Sequence, residues 1–148
     1  MNKIRFKKGS FKMGYCIDKE EGIIKIKKEN MELALKKLSN FFQNGGSLRW
    51  VNGFNIEDMT AVEDDEETPL ELEEIWNDLR YGYKETKTHY EIVDFLGEKL
   101  GDDLKLFELI AEYCEDGYLQ FAGEDGEHFR IVIKEGKATE TWAQLTWN

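Results

Sequence analysis

The chain has one proline, two cysteines and two histidines among its 148 residues. Cys16 and Cys114 lack C-x-x-C spacing, and two lone thiols suit a reducing cytoplasm; Cys114 falls on an apolar helical position where a buried, inert thiol is the ordinary reading. His89 and His128 lack the i, i+4 partner of a helical zinc site. No stretch reaches the roughly eighteen apolar residues that span a bilayer, and residues 1–12 lack the apolar core of a signal peptide, so a cytoplasmic protein without a membrane segment is expected. The patterns G-x-x-x-x-G-K-[ST], G-x-G-x-x-G and G-x-S-x-G are all missing, which leaves nucleotide, dinucleotide and serine-hydrolase chemistry without support.

The most informative absence is of cations. Between Arg49 and Arg80 there is no Lys or Arg, while residues 57–78 hold eleven carboxylates, among them the run Glu63, Asp64, Asp65, Glu66 and Glu67. Residues 1–49 carry a net charge of +7 and residues 50–148 one of −18, within a total of −11. Charge asymmetry of this size bears on partners and association rates and leaves fold and reaction open.

What is present is enough for a core. Hydrophobic residues make up 41% and aromatics 13% of the chain, and its length suits one domain over 1–148. Phe11, Met13, Tyr15 and Ile17 alternate with polar residues, and Glu20-Glu21-Gly22 predicts a turn into Ile23–Lys27, a β-hairpin. Met31, Ala34, Leu35, Leu38, Phe41 and Phe42 form a helical stripe from Asn30 until Asn44-Gly45-Gly46. Residues 47–67 read as an irregular acidic loop anchored by Trp50, Phe54, Ile56 and Met59. Thr68-Pro69-Leu70-Glu71 then combines an N-cap, a first-turn proline and a capping-box glutamate. In the helix it opens, Leu72, Ile75, Trp76 and Leu79 face inward, whereas Glu67, Glu71, Glu74 and Asp78 share another face.

Residues 89–96 suit a strand, and Asp102 caps a helix in which Leu104, Phe107, Ile110, Ala111 and Cys114 face inward until Gly117. Three strands follow: residues 118–121, the alternating Phe129, Ile131 and Ile133, and 137–147, joined at Gly123-Glu124-Asp125-Gly126 and Glu135-Gly136. The expected order is β-β-α-α-β-α-β-β-β. Short turns between neighbouring strands imply an α+β fold, a mainly antiparallel sheet with about three helices packed on one face.

Catalytic signals are thin. His128 sits near Glu124, Asp125, Glu127 and Arg130, where a carboxylate can orient an imidazole, but Gly- and Asp-rich hairpin tips arise for conformational reasons alone. The Gly123–Gly126 tip lacks the oxygen spacing of an EF-hand, and no catalytic residue, metal site or cofactor is assigned. Lys3, Arg5, Lys7, Lys8 and Lys12 are not interleaved with stacking aromatics, so direct nucleic-acid binding is not expected. A solvated outer face explains a few carboxylates; it explains eleven in twenty-two positions without a lysine less well, because uncompensated like charge costs stability. Duplex DNA carries one charge per about 1.7 Å, and closely spaced carboxylates can take its place in a basic cleft. The residues assigned to partner binding are Glu63, Asp64, Asp65, Glu66, Glu67, Glu71, Glu74, Asp78 and, as an aromatic anchor, Trp50.

The segment from Tyr118 to Arg130, with Phe95 to Asp103 before it, resembles small proteins of bacteria and their phages that end in a Gly-Glu-Asp-Gly hairpin, a similarity that carries no activity. In size and acidity the chain resembles phage-encoded inhibitors of host defence, the anti-CRISPR and DNA-mimic proteins. That resemblance implies a non-enzymatic inhibitor whose partner is a basic, nucleic-acid-binding enzyme. An immunity or antitoxin-like protein acting on a basic toxin enzyme, and a small enzyme using His128, stand as alternatives. The basic N-terminal third departs from a DNA mimic that is acidic throughout.

Overall fold

A computed structural model describes residues 16–60 and 71–143. Among these residues six strands form one antiparallel sheet: β1 (Ile17–Lys27), β2 (Tyr81–Glu85), β3 (His89–Phe95), β4 (Gly117–Gly123), β5 (His128–Lys134) and β6 (Lys137–Trp142), in the spatial order β2-β3-β1-β4-β5-β6. Helices α1 (Lys28–Gln43), α2 (Leu72–Leu79) and α3 (Asp103–Ile110) complete the α+β architecture that the alternation predicted. Among the described residues no helix is long and apolar enough to cross a membrane.

Strand periodicity decides which face of the sheet is covered. Ile24, Ile26, Leu119, Phe121, Phe129, Ile131 and Ile133 are buried beneath the helices, whereas Lys25, His128, Arg130, Thr139 and Thr141 point to solvent. Ile17 is odd-numbered and Ile24 even-numbered, yet both are buried, because Glu20 is an extra residue: Lys19 opposes Phe121 and Glu21 opposes Gln120. This bulge, followed by Gly22 at φ +100°, lies where the sequence predicted a hairpin turn, so β1 runs through as one strand. A side chain at Gly22 would strike the Tyr118 backbone.

The helices differ in detail from the expectation. Met31, Ala34, Leu35 and Leu38 of α1 are buried as predicted, and Asn44 closes the helix. α2 begins with Glu71 as its N-cap rather than its third residue, the N–H of Glu71 donating to Glu74 Oε1 at 3.0 Å. α3 ends at Ile110 and tightens into a 3-10 turn at Ala111–Tyr113, and Leu106 is fully buried where Leu104 was expected to be. Of the predicted acidic loop, the described part holds a tight turn at Leu48–Val51 and a 3-10 turn at Ile56–Thr60. Residues 63–67, Thr68, Pro69, the N-terminal lysines and Trp147 lie outside the described residues.

Candidate functional site

α2 carries the described part of the acidic row. Ile75, Trp76 and Leu79 have no exposed surface, which fixes the helix rotation and leaves Glu71, Glu73 and Glu74 exposed and Asp78 half-buried. From Glu71 to Asp78 the row runs about 10 Å along the axis at 1.5 Å per residue. Elsewhere among the described residues three lysines pair with acids: Lys28 with Glu85, Lys36 with Glu32 and Lys37 with Glu112. Among the described residues, Glu71, Glu73, Glu74 and Asp78 have no ion-pair partner. Their field reaches β2, where the Tyr83 phenol is pushed up, first by burial and next by the charge of Glu73, with Glu71 also contributing.

The cation nearest in sequence is turned away from this row. Arg80 closes α2 in the left-handed conformation, φ +77°, and its guanidinium points inward. Nη2 meets Asp103 Oδ1 at 2.6 Å, Nη1 donates to the carbonyl of Lys99, and the plane lies 5.2 Å over the Phe95 ring. Asp103 is buried and also accepts from Tyr81 Oη at 2.9 Å and from the N–H of Gly101 at 2.8 Å. Burial raises the Asp103 pKa against the pull of Arg80 and these donors. The same burial, with the Asp103 charge next, lifts the Tyr81 phenol well above its ordinary range.

Beside Lys99 and Gly101, whose backbones bond this cluster, sits Trp50, the anchor the sequence singled out. Its side chain is 55% exposed and its backbone is left-handed, φ +71°, a conformation that costs a bulky residue about 1–3 kcal/mol. Four hydrogen bonds hold the turn in place. Val51 N–H donates to Leu48 O at 3.1 Å, Arg49 N–H to Asp102 Oδ2 at 2.8 Å, Asp102 N–H to Arg49 O at 3.4 Å and Asn52 N–H to Asp78 O at 3.3 Å. Asp102, expected to cap α3 with its side chain, is therefore spent on the Trp50 turn. Gly101 is required by close approach: a Cβ there would lie 2.5 Å from Trp50 Cδ1. The carbonyl that ends the acidic row and the loop that carries Trp50 are thus tied together.

The open face of the sheet holds a second constellation, which sequence reasoning located only in part. His128 does pair with a carboxylate, but the partner is Glu20 at the β1 bulge, 2.6 Å from Nδ1, and not a residue of its own hairpin. Gln120 Nε2 donates to the same Glu20 oxygen at 2.6 Å, Arg130 Nε donates to Gln120 Oε1 at 2.7 Å, and the guanidinium lies 4.2 Å over the Tyr118 ring. Tyr118 Oη in turn donates to Glu21 Oε2 at 2.7 Å. Gln120 first and His128 second hold the Glu20 carboxyl below its ordinary value. An open groove of about 350 Å³ runs beside His128, Arg130 and Thr141. A carboxylate on Nδ1 orients an imidazole for proton transfer at Nε2.

Other chemical candidates are accounted for locally. His89 is bound at both ring nitrogens, to Thr88 Oγ1 at 2.7 Å and to Glu115 at 2.9 Å. Burial pushes the Cys114 thiol up to about 12, and Sγ donates to Ile110 O at 3.4 Å, so it is no nucleophile at neutral pH. Among the described residues no three His, Cys, Asp or Glu side chains cluster to hold a metal ion. Compared with known protein families, curated proteins and solved structures, the chain matches none.

Proposed function

We propose that the protein is a non-enzymatic inhibitor that binds a basic partner through the outer face of α2 and the Trp50 turn. The observation that supports this is the row Glu71, Glu74 and Asp78, without an ion-pair partner among the described residues, whose neighbouring cation Arg80 is committed to the interior. A row of this kind adds long-range attraction for a cationic cleft, and an exposed aromatic beside it adds a desolvated anchor. The partner is a nucleic-acid-binding enzyme, and the acids occupy the channel that otherwise takes phosphates. A phage-encoded protein acting against host defence is the biological setting this fits; an immunity protein against a basic toxin enzyme uses the same electrostatics.

The test is capture of partners from bacterial lysate at low and high salt, followed by elution with duplex DNA. The reading requires a captured nucleic-acid-binding enzyme that high salt or duplex DNA releases and that is inhibited at a fixed molar ratio. Release by neither, or capture of acidic proteins only, contradicts it. The His128–Glu20 pair supports a second reading, a small enzyme with His128 as general base. In that case the effect turns over below stoichiometry and is lost in His128→Ala, by about 10² to 10⁴ in rate.

A further inference from the structure

The Trp50 ring is already occupied by a cation of its own chain: Lys99 Nζ lies 5.6 Å from the ring centroid. We propose that Lys99 is a stand-in, and that Trp50 is a platform for an arginine or lysine side chain of the basic partner, which displaces Lys99 on binding. The inference rests on the acidic-face reading above and names the contact at its centre.

Three features of the corner carry it. The ring is more than half exposed, so one side chain can leave its face and another arrive without unfolding anything. The turn beneath it is rigid, held at Asp78, Asp102 and Leu48 in a conformation that is unfavourable for tryptophan, and a strained backbone with an exposed aromatic at its apex marks a functional constraint. The Lys99 backbone is fixed by Arg80 while its ammonium swings on a four-carbon stem, so the ring stays in place as the lysine moves. Acids stand at the turn, since the Asp102 carboxylate accepts from the Arg49 N–H and the Asp78 backbone is bonded to Asn52, and Lys99 already shows that the ring takes a cation. A guanidinium is the better occupant, because it is planar, stacks on the indole and is less hydrated than an ammonium.

The experiment titrates the full-length protein with a hexa-arginine peptide while following backbone amides and indole N–H resonances by NMR, Trp50 being assigned by its loss in Trp50→Phe. The expected result is a saturable shift of the Trp50 indole together with the amides of Glu71 to Asp78. Lys99→Ala should tighten binding by about two- to fivefold, the worth of an exposed cation–π contact. Lys105→Ala, which removes the same charge from neighbouring α3, should tighten it less. Trp50→Asn, which places at the turn a residue type that accepts the left-handed conformation, should weaken binding to a similar degree, and Trp50→Tyr should restore most of it. If the peptide shifts the α2 amides but leaves the Trp50 indole unmoved, or if Lys99→Ala and Lys105→Ala have equal effects, the platform is overturned and the acidic-face reading stands. If neither region shifts, both fall.

Discussion

The α2–Trp50 corner and the open sheet face use charge in opposite ways. On the sheet face hydrogen bonds join His128, Glu20, Gln120 and Arg130, the Arg130 guanidinium stacks on Tyr118, and Tyr118 donates to Glu21, so most of these polar groups are engaged with one another. At the corner the pairing is internal and buried, Arg80 with Asp103, and the acids outside it have no ion-pair partner among the described residues. Satisfied surface networks add little attraction for another molecule; an uncompensated row beside a rigid aromatic turn adds a good deal. The contrast makes the corner the better candidate for partner binding, although the sheet face has the more familiar chemical groups.

The comparison breaks most visibly at Asp103. Its replacement by Ala leaves the largely buried Arg80 unpaired and removes the acceptor of Tyr81, and a loss of about 3–5 kcal/mol is expected in urea unfolding. Removing His128 from the exposed sheet network should cost far less in the same measurement. Next in size is Gly101→Ala, whose Cβ collides with the Trp50 ring and the Arg49 backbone. Stability should fall by about 1–3 kcal/mol and the Trp50 indole resonance should move, while the sheet-face signals stay in place.

Charge removal on α2 should barely touch the fold. Glu71→Gln, Glu74→Gln and Asp78→Asn together should leave unfolding within about 0.5 kcal/mol of the parent, since Glu71 and Glu74 are exposed, Asp78 is only half-buried, and the two glutamines keep amide oxygens for the two capping N–H groups. The smallest expected effect belongs to Glu20 and appears only in acid. Its carboxyl is held below the ordinary 4.5, so the folded chain binds fewer protons there than the unfolded one. The stability it adds is complete above that value and fades as pH falls through it. Unfolding midpoints measured from neutral pH down to acid should therefore drop less in Glu20→Gln than in the parent. Glu112, held low by Lys37, and Glu115, held low by His89, add to the acid sensitivity of both proteins.

Local periodicity makes much of the fold legible. The stripe from Met31 to Leu38, the alternation of Phe129, Ile131 and Ile133, and the Glu135-Gly136 turn, where both residues take positive φ, need only near neighbours to be recognised. β2 escapes, because Gly82 and a length of five residues hide the alternation of Tyr81 and Tyr83. The Glu20 bulge reads as a turn, since Glu-Glu-Gly fits both and only the pairing with β4 tells them apart. For the site, the i, i+3 and i+4 spacing of Glu71, Glu74 and Asp78 is enough to put them on one helix face. What holds Trp50 is not legible: Asp78, Lys99 and Asp102 are far from it in sequence, and Asp102 looks like an ordinary cap. Glu20 and His128, 108 residues apart, meet only through the sheet.

The most direct test removes the same charge from each region. Binding of a hexa-arginine peptide is measured by calorimetry for the parent, for Glu71→Gln/Glu74→Gln and for Glu20→Gln/Glu21→Gln, at about 20 mM and about 150 mM salt, where the screening length falls severalfold. Both double variants shift the net charge by the same two units. The α2 variant should bind markedly more weakly and lose much of its salt dependence, while the sheet-face variant should bind like the parent. Equal losses in the two variants would mean that the peptide reads only the overall charge of the chain, and the claim that the α2–Trp50 corner is the binding face would be contradicted.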